Sequence, residues 1–424
     1  MNKVLIVTYY WPPSGGAGVQ RWLKFSKYLP EFGWEPVILT VDPDYAAYPV
    51  TDFSLKEDLA SSVKVYSTPA TNYFSIYKKD ISKIPAAGFA NSVDNSLKGK
   101  ILRFIRGNFF LPDPRKGWNK YAFKKACELI EAEGIRHIIT TSPPHSTQLI
   151  GLKIKKKYPT IKWIADLRDP WTDIYYYKQF YPTFISKWID LKFEESVLKK
   201  ADKIITVGAS LKNLYSLKVQ GVENKTEVIT NGYDEDDFSG IIPTIPAIFT
   251  ITYVGTLSDI YPLDGFLNAL HIFKEKGNEY MLRFIGTVSK YQKDLIQSKA
   301  GDSTLEFIPY IDHTTAIEFM LKSTVLLLII PDHQSNKSII TGKIFEYIAS
   351  GKPIICLGPV DGDAAGIIRD TGHGITFSYT DSKLISEYLA RLITDKSIIE
   401  KISPKAFSRM ELTRKIIPLL SDNN

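Results

Sequence analysis

Apolar residues fall in short runs along the first 230 positions, and most runs precede a segment whose apolar residues recur every three or four. The runs at 3–8, 36–41, 138–141, 161–166, 203–207 and 227–230 have the length and β-branched content of buried strands, whereas 19–32, 146–157 and 210–217 carry helical spacing. This alternation predicts βαβ units and a parallel sheet. The pattern breaks at about 234–248, where a cluster of acids gives way to a proline-containing stretch without period. It then restarts, with strands at 249–254, 281–285, 305–308, 325–330 and 353–356 and helices at 263–276, 290–298, 314–321 and 339–349. The expected fold class is α/β with two doubly wound Rossmann-like domains, 1–235 and 249–400, joined by a linker at 236–248. A helical stretch at 401–424 follows.

The length of 424 residues suits two cores, and 44% apolar with 23% charged residues is globular composition that excludes disorder and coiled coil. The longest aliphatic run, at 325–330, is far below the roughly 20 residues a membrane span needs. Neither a signal peptide nor a transmembrane helix is expected, and the two cysteines, Cys127 and Cys356, suffice for neither a disulfide framework nor a zinc cluster. A cytoplasmic setting and no metal site are the expectations. The net charge of +7 is uneven, with 34 basic against 26 acidic residues in 1–240 and 19 against 20 in 241–424. Its densest part interleaves Lys98, Lys100, Arg103, Arg106, Arg115 and Lys116 with Ile101, Leu102, Phe104, Ile105, Phe109 and Phe110. Such a patch suits an anionic membrane surface, a nucleic-acid surface or a solvated face; without base-stacking or basic-helix motifs, nucleic acid is not expected.

Ligands of open parallel sheets sit beyond the carboxyl ends of the strands, so residues just after each strand are the candidates for chemistry. After the first strand come Gly15, Gly16, Gly18 and Arg21, a glycine-rich turn into a helix. It admits a bound anion or sugar, a dinucleotide with Asp42 on the ribose, or merely a tight turn. His145, behind a Pro-Pro corner, is either an N-terminal hydrogen-bonding residue or a catalyst. Asp166, Arg168 and Asp169 crowd one strand end, where they form a buried ion-pair network or face a polar ligand. The aromatic run from Tyr175 to Trp188 can stack on sugars, rest on a membrane or pack. In the second half, Lys343 and Glu346 lie three apart on one helix face. That pair suits a nucleotide sugar, with cation and helix start on the diphosphate and carboxylate on the ribose, or is a surface ion pair.

Taken in order, the glycine-rich loop, Asp166-Leu167-Arg168-Asp169-Pro170-Trp171, Val228 to Asp234, Tyr253-Val254-Gly255-Thr256 and Gly342 to Pro353 resemble the group-1, family-4-like glycosyltransferases of bacterial surface polysaccharide biosynthesis. The resemblance implies the GT-B fold, two Rossmann-like domains facing a cleft, the final helix crossing back to the first domain. It further implies a retaining, metal-independent, hexosyltransferase-type enzyme without cofactor, using a nucleoside diphosphate sugar and a glycan or lipid-linked acceptor. On this resemblance Glu346 is the ribose-binding residue and Gly342, Gly255 and Thr256 belong to the donor site. Lys343 contacts the diphosphate, with Lys337 as helper. Gly15 and Gly16 form the acceptor-side loop beside the leaving group, their N–H groups on its phosphate, with Arg21 and Arg168 on that side; His145 and Asp169 lie near the transferred sugar and the acceptor. Two departures stand out: Ser338 occupies a position where the family often has Glu, and the segment after Gly255 lacks the usual basic residue. The basic, aromatic first half together with such an acceptor points to a peripheral protein on the inner face of the plasma membrane. Another nucleotide-sugar enzyme of this fold, an epimerase or hydrolase, and a non-catalytic glycan or lipid-carrier binding subunit remain as alternatives.

Overall fold

Val4, Leu5, Ile6 and Val7 are consecutive and all fully shielded from solvent, which requires a strand covered on both faces. The computed structural model provides this in each half of the chain. It describes residues 1–56, 58–60, 62–73, 96–244, 246–300, 305–395 and 405–421. The chain divides into two units, Met1–Thr230 with Arg409–Asn424, and Asn231–Ser408. One residue of the expected linker, 245, and parts of the expected final helix, 401–404 and 422–424, lie outside the described residues.

The first unit runs β1 (Asn2–Val7), α1 (Ala17–Tyr28), β2 (Trp34–Val41), β3 (Lys64–Thr68), α2 (Leu97–Phe109), α3 (Asn119–Glu133), β4 (His137–Ser142), α4 (Gln148–Lys157), β5 (Lys162–Leu167), α5 (Phe184–Lys200), β6 (Lys203–Thr206), α6 (Ala209–Lys218) and β7 (Thr226–Val228). All pairings are parallel in the order β3-β2-β1-β4-β5-β6-β7, with Val4 opposite both Pro36 and His137. The second unit runs β8 (Thr250–Val254), α7 (Asp264–Glu275), β9 (Met281–Ile285), α8 (Lys290–Ala300), β10 (Leu305–Ile308), α9 (His313–Leu321), β11 (Val325–Ile329), α10 (Lys343–Ala349), β12 (Ile354–Leu357), α11 (Asp363–Thr371), β13 (Gly374–Phe377) and α12 (Ser382–Thr394). Its parallel order is β10-β9-β8-β11-β12-β13. Both sheets therefore reverse direction between their first and fourth strands, the doubly wound arrangement whose crevice opens at that point. The last helix, α13 (Arg409–Leu420), belongs to the first unit, where Leu412, Ile416, Leu419 and Leu420 join the core.

Two strands escape the apolar-run reading, β3 and β13. Both are sheet edges, short and partly exposed, so neither needs an unbroken apolar run. Helix α10 starts at Lys343 rather than at 339 and has seven residues. Among the described residues, no helix is long and apolar enough to cross a membrane.

A buried polar knot ties α1 to β5. Arg21, fully buried, donates to Asp166 from Nε at 3.3 Å and from Nη2 at 3.1 Å, and to the carbonyls of Thr230 at 2.8 Å and Ile229 at 2.9 Å. The Trp22 indole N–H at 2.7 Å and the Thr141 hydroxyl at 2.8 Å complete the coordination of Asp166. A buried carboxylate with this many donors is well compensated, and each missing donor is costly. Thr141→Val, nearly isosteric, is expected to lower stability by about 1.5–3 kcal/mol, read as a reduced midpoint in thermal unfolding.

Candidate active site

In the second unit the carboxyl end of β8 places Tyr253, Gly255 and Thr256 beside the reversal of strand order, and the segment after β11 leads into α10. Lys343 reaches back to this strand end. Its Nζ donates to the Tyr253 hydroxyl at 2.9 Å and stands 4.2 Å from the ring centroid. Tyr253 in turn donates to the Thr256 carbonyl at 2.7 Å. Gly255 has φ of 123°, and a Cβ there would come within 2.8 Å of Lys343 Nζ, so glycine is what allows the ammonium to lie over the strand end. Burial pushes Lys343 down to about 7, opposed by Glu346. Such an amine recovers its charge when an anion comes to meet it.

Glu346, less than one turn further along, lies with Oε1 3.0 Å from His313 Nε2, while His313 Nδ1 is 4.0 Å from Asp237. A carboxylate only accepts, so the imidazole faces Glu346 with an N–H. Thr341 Oγ1 is shut off from solvent and has no hydrogen-bond partner among the described residues. Lys337 lies on the surface and pairs with Asp361 at 2.5 Å, so its charge is already matched. Ser338 donates to the Ser335 carbonyl at 3.1 Å. Because α10 is only seven residues long and begins at Lys343, the aligned dipole expected from a helix starting at 339 is small.

In the first unit the predicted residues separate into frame and site. Arg21, expected on the acceptor side, is part of the buried knot with Asp166, and no exposed surface remains for a ligand. Gly15, expected to offer its N–H to phosphate, already donates it to the Val50 carbonyl at 2.9 Å. Arg168 donates to the carbonyls of Ser142 and Gly18, each at 2.9 Å, and so holds the glycine-rich loop against β4. Asp169 is partly buried and its carboxylate has no hydrogen bond or ion pair among the described residues; burial raises its pKa, with Arg168 opposing.

His145 stacks on Trp171, ring centroids 4.9 Å apart and planes 12° from parallel. Both ring nitrogens are buried with no hydrogen-bond partner among the described residues. Burial holds His145 down to about 3, so the imidazole is neutral at physiological pH and can exchange hydrogen bonds but not act as a cation. It lines a cavity of about 70 Å³ together with Tyr10, Arg106, Asp113, Arg115 and Asp190. Asp190 accepts from the Trp171 indole at 2.8 Å and from Tyr177 at 3.0 Å, and burial raises its carboxyl to about 6.

Residues 246–409 match the family model described as glycosyl transferases group 1. The second unit is a group-1 glycosyltransferase domain. No curated protein sequence matches the chain. Among solved structures, the chain resembles a glycosyltransferase from Rickettsia africae at 15% identity, covering 99% of this chain and 97% of that one with a TM-score of 0.61. It is also similar to HepE from Anabaena, solved in complex with UDP, at 12% identity, 99% coverage of both chains and a TM-score of 0.61. A third is sucrose-phosphate synthase from Thermosynechococcus elongatus, at 13% identity, 99% and 98% coverage and a TM-score of 0.60. The fold is GT-B.

Within the group-1 domain, Lys343 lies over Gly255 and bonds Tyr253, which in turn bonds the Thr256 carbonyl, and Glu346 shares its helix with Lys343. His313 was not singled out by any sequence signal, being 33 positions from Glu346 on another helix. Its one trace is the helix start, where Asp312 caps α9 through the Thr315 N–H at 2.9 Å and makes His313 the first helical residue.

Proposed function

We propose that the protein is a retaining glycosyltransferase that moves a sugar from a nucleoside diphosphate sugar to a glycan or lipid-linked acceptor in cell-surface polysaccharide synthesis, at the inner face of the plasma membrane. The observation that carries this reading is the Lys343–Glu346 arrangement at the switch point of the group-1 domain: a partly buried amine held over Gly255 and Tyr253, and a carboxylate less than one helical turn away. In this reading Lys343 meets the diphosphate, with the Thr341 hydroxyl as a further donor, and Glu346 accepts from the ribose hydroxyls. His313 sets the orientation of Glu346. The first unit recognises the acceptor, where the neutral His145 and the unpaired Asp169 carboxylate are available to sugar hydroxyls.

As the anomeric C–O bond to the diphosphate breaks, its electron pair leaves with the phosphate while the sugar becomes oxocarbenium-like. The acceptor oxygen then bonds the anomeric carbon on the same face and gives its proton to the leaving phosphate. Negative charge therefore grows where Lys343 stands, and a donor fixed before the reaction stabilises the transition state with little reorganisation. No side-chain nucleophile and no metal or cofactor is required by this scheme.

The test is a thermal-shift screen of UDP, GDP, ADP and their sugars against the full chain. A ligand held at 100 times its Kd should stabilise the folded state by about 2.7 kcal/mol. Stabilisation by one nucleotide sugar, lost in Lys343→Ala and Glu346→Ala, supports the reading and names the donor. Binding of NAD in its place, or donor consumption without any acceptor, would overturn it.

A further inference from the structure

Helix α2 turns its apolar stripe outward. Leu97, Ile101 and Phe104, spaced i, i+4, i+7, are 76%, 50% and 41% exposed, and Phe109 at its end is 67% exposed. The start of α5 does the same: Phe184, Ile185 and Trp188 are 83%, 67% and 54% exposed. The two segments are locked side by side. Asn108 donates to the Tyr181 carbonyl at 3.1 Å and accepts from the Thr183 N–H at 2.7 Å and the Ser186 hydroxyl at 2.6 Å. Gly107 lies so close to Phe180 that a Cβ would come within 2.4 Å of its carbonyl oxygen. Together they present an apolar ledge on two adjoining segments.

The charge around the ledge has a single sign. Residues 96–109 and 181–188 hold Lys98, Lys100, Arg103, Arg106 and Lys187 and no acidic residue. From this we infer that the ledge inserts the protein into the interface of an anionic bilayer, apolar side chains among the acyl chains and lysines against the headgroups. A second copy of the chain fits this surface poorly, since a two-fold contact would set these cations against themselves and lysine is depleted from interface cores. A glycan is disfavoured by Leu97, Ile101 and Ile185, which offer neither an aromatic face nor a hydrogen bond. The inference rests on the proposed function only in that a lipid-linked acceptor would place the enzyme at such a surface.

The protein carries its own probe. Of its seven tryptophans, Trp11, Trp22, Trp34, Trp118, Trp163 and Trp171 are at most 4% exposed, so water-soluble quencher reaches essentially Trp188 alone. The full chain is mixed with vesicles of phosphatidylcholine, alone or with 30% phosphatidylglycerol. Binding is read by sedimentation and by acrylamide quenching. The expected result is binding to the anionic vesicles, with Trp188 emission shifted to the blue and shielded from acrylamide. At about fivefold per basic residue near the surface, Lys98→Glu with Lys100→Glu should weaken binding at least tenfold, and so should Phe184→Ser with Ile185→Ser. These positions are exposed, so the unfolding midpoint should stay put.

Unchanged vesicle binding in both double variants would overturn the inference. So would Trp188 already shielded in the absence of lipid, which would mean that another part of the chain or a second copy covers the ledge. Nucleotide-sugar binding is measured on the same samples by thermal shift. An unmodified chain that binds the donor but not the anionic vesicles sinks the ledge and leaves the proposed glycosyl transfer standing, and one that binds the vesicles but no donor does the opposite.

Discussion

Glu346→Ala is expected to reduce turnover with the nucleotide sugar by at least about 100-fold while shifting the unfolding midpoint by less than about 2 °C. The magnitude follows from two hydrogen bonds between a carboxylate and ribose hydroxyls, each worth roughly 1.5–3 kcal/mol when one partner is charged. The small stability effect follows from the site. Glu346 has a side chain 19% exposed, and its partner His313 is 36% exposed, so water can solvate the imidazole once the carboxylate is gone. Steady-state kinetics and a melting curve on the same preparation check both halves. A drop of several degrees with turnover retained would make Glu346 a brace between α9 and α10 rather than a ligand for the donor.

Lys343→Met is expected to act in two directions at once. Donor turnover should fall by at least about 1,000-fold, because the cation facing the departing diphosphate is removed from a site largely closed to water. Stability should rise by about 1–2 kcal/mol at pH 7. The sign comes from linkage: burial holds the amine at about 7 in the folded protein against roughly 10.4 in an unfolded chain. The unfolded state therefore binds the proton more tightly at every pH below about 10, so this residue opposes folding, most strongly below pH 7. The gain on replacing it should shrink as the pH is raised toward 10. The same shift makes donor binding in the wild type draw in a proton, so affinity should be flat below about pH 7 and weaken above it, by at most tenfold per pH unit. Calorimetry in buffers of different ionisation enthalpy measures the uptake directly. PH-independent affinity between 7 and 9 would remove Lys343 from the diphosphate.

The parts of this protein legible in its residue pattern are those whose causes are local. Val4 to Val7 and Val325 to Ile329 are buried on both faces and so appear as unbroken apolar runs, which fixes the parallel sheets. Lys343 and Glu346 share a helix, and their spacing alone sets them on one side. What depends on contacts between distant segments was not legible. Arg21 sits in a glycine-rich loop-to-helix junction of the kind that binds phosphate, yet Asp166, 145 positions away, claims its guanidinium inside the core. The Gly15 N–H is claimed in the same way by Val50, and Glu346 acquires His313 from a separate helix. The outward stripe of α2 was visible only as a mixture of basic and aromatic residues, because which face of a helix is covered is decided by its neighbours.

Membership of α13 in the first unit has a consequence for how the protein is made. Its core requires Leu412, Ile416, Leu419 and Leu420, which pack with strands and helices formed from residues synthesised well before the whole of 231–408. On a ribosome the group-1 domain can therefore close while the earlier unit still exposes the apolar groove on α1 that α13 will fill. The half begun first is finished last.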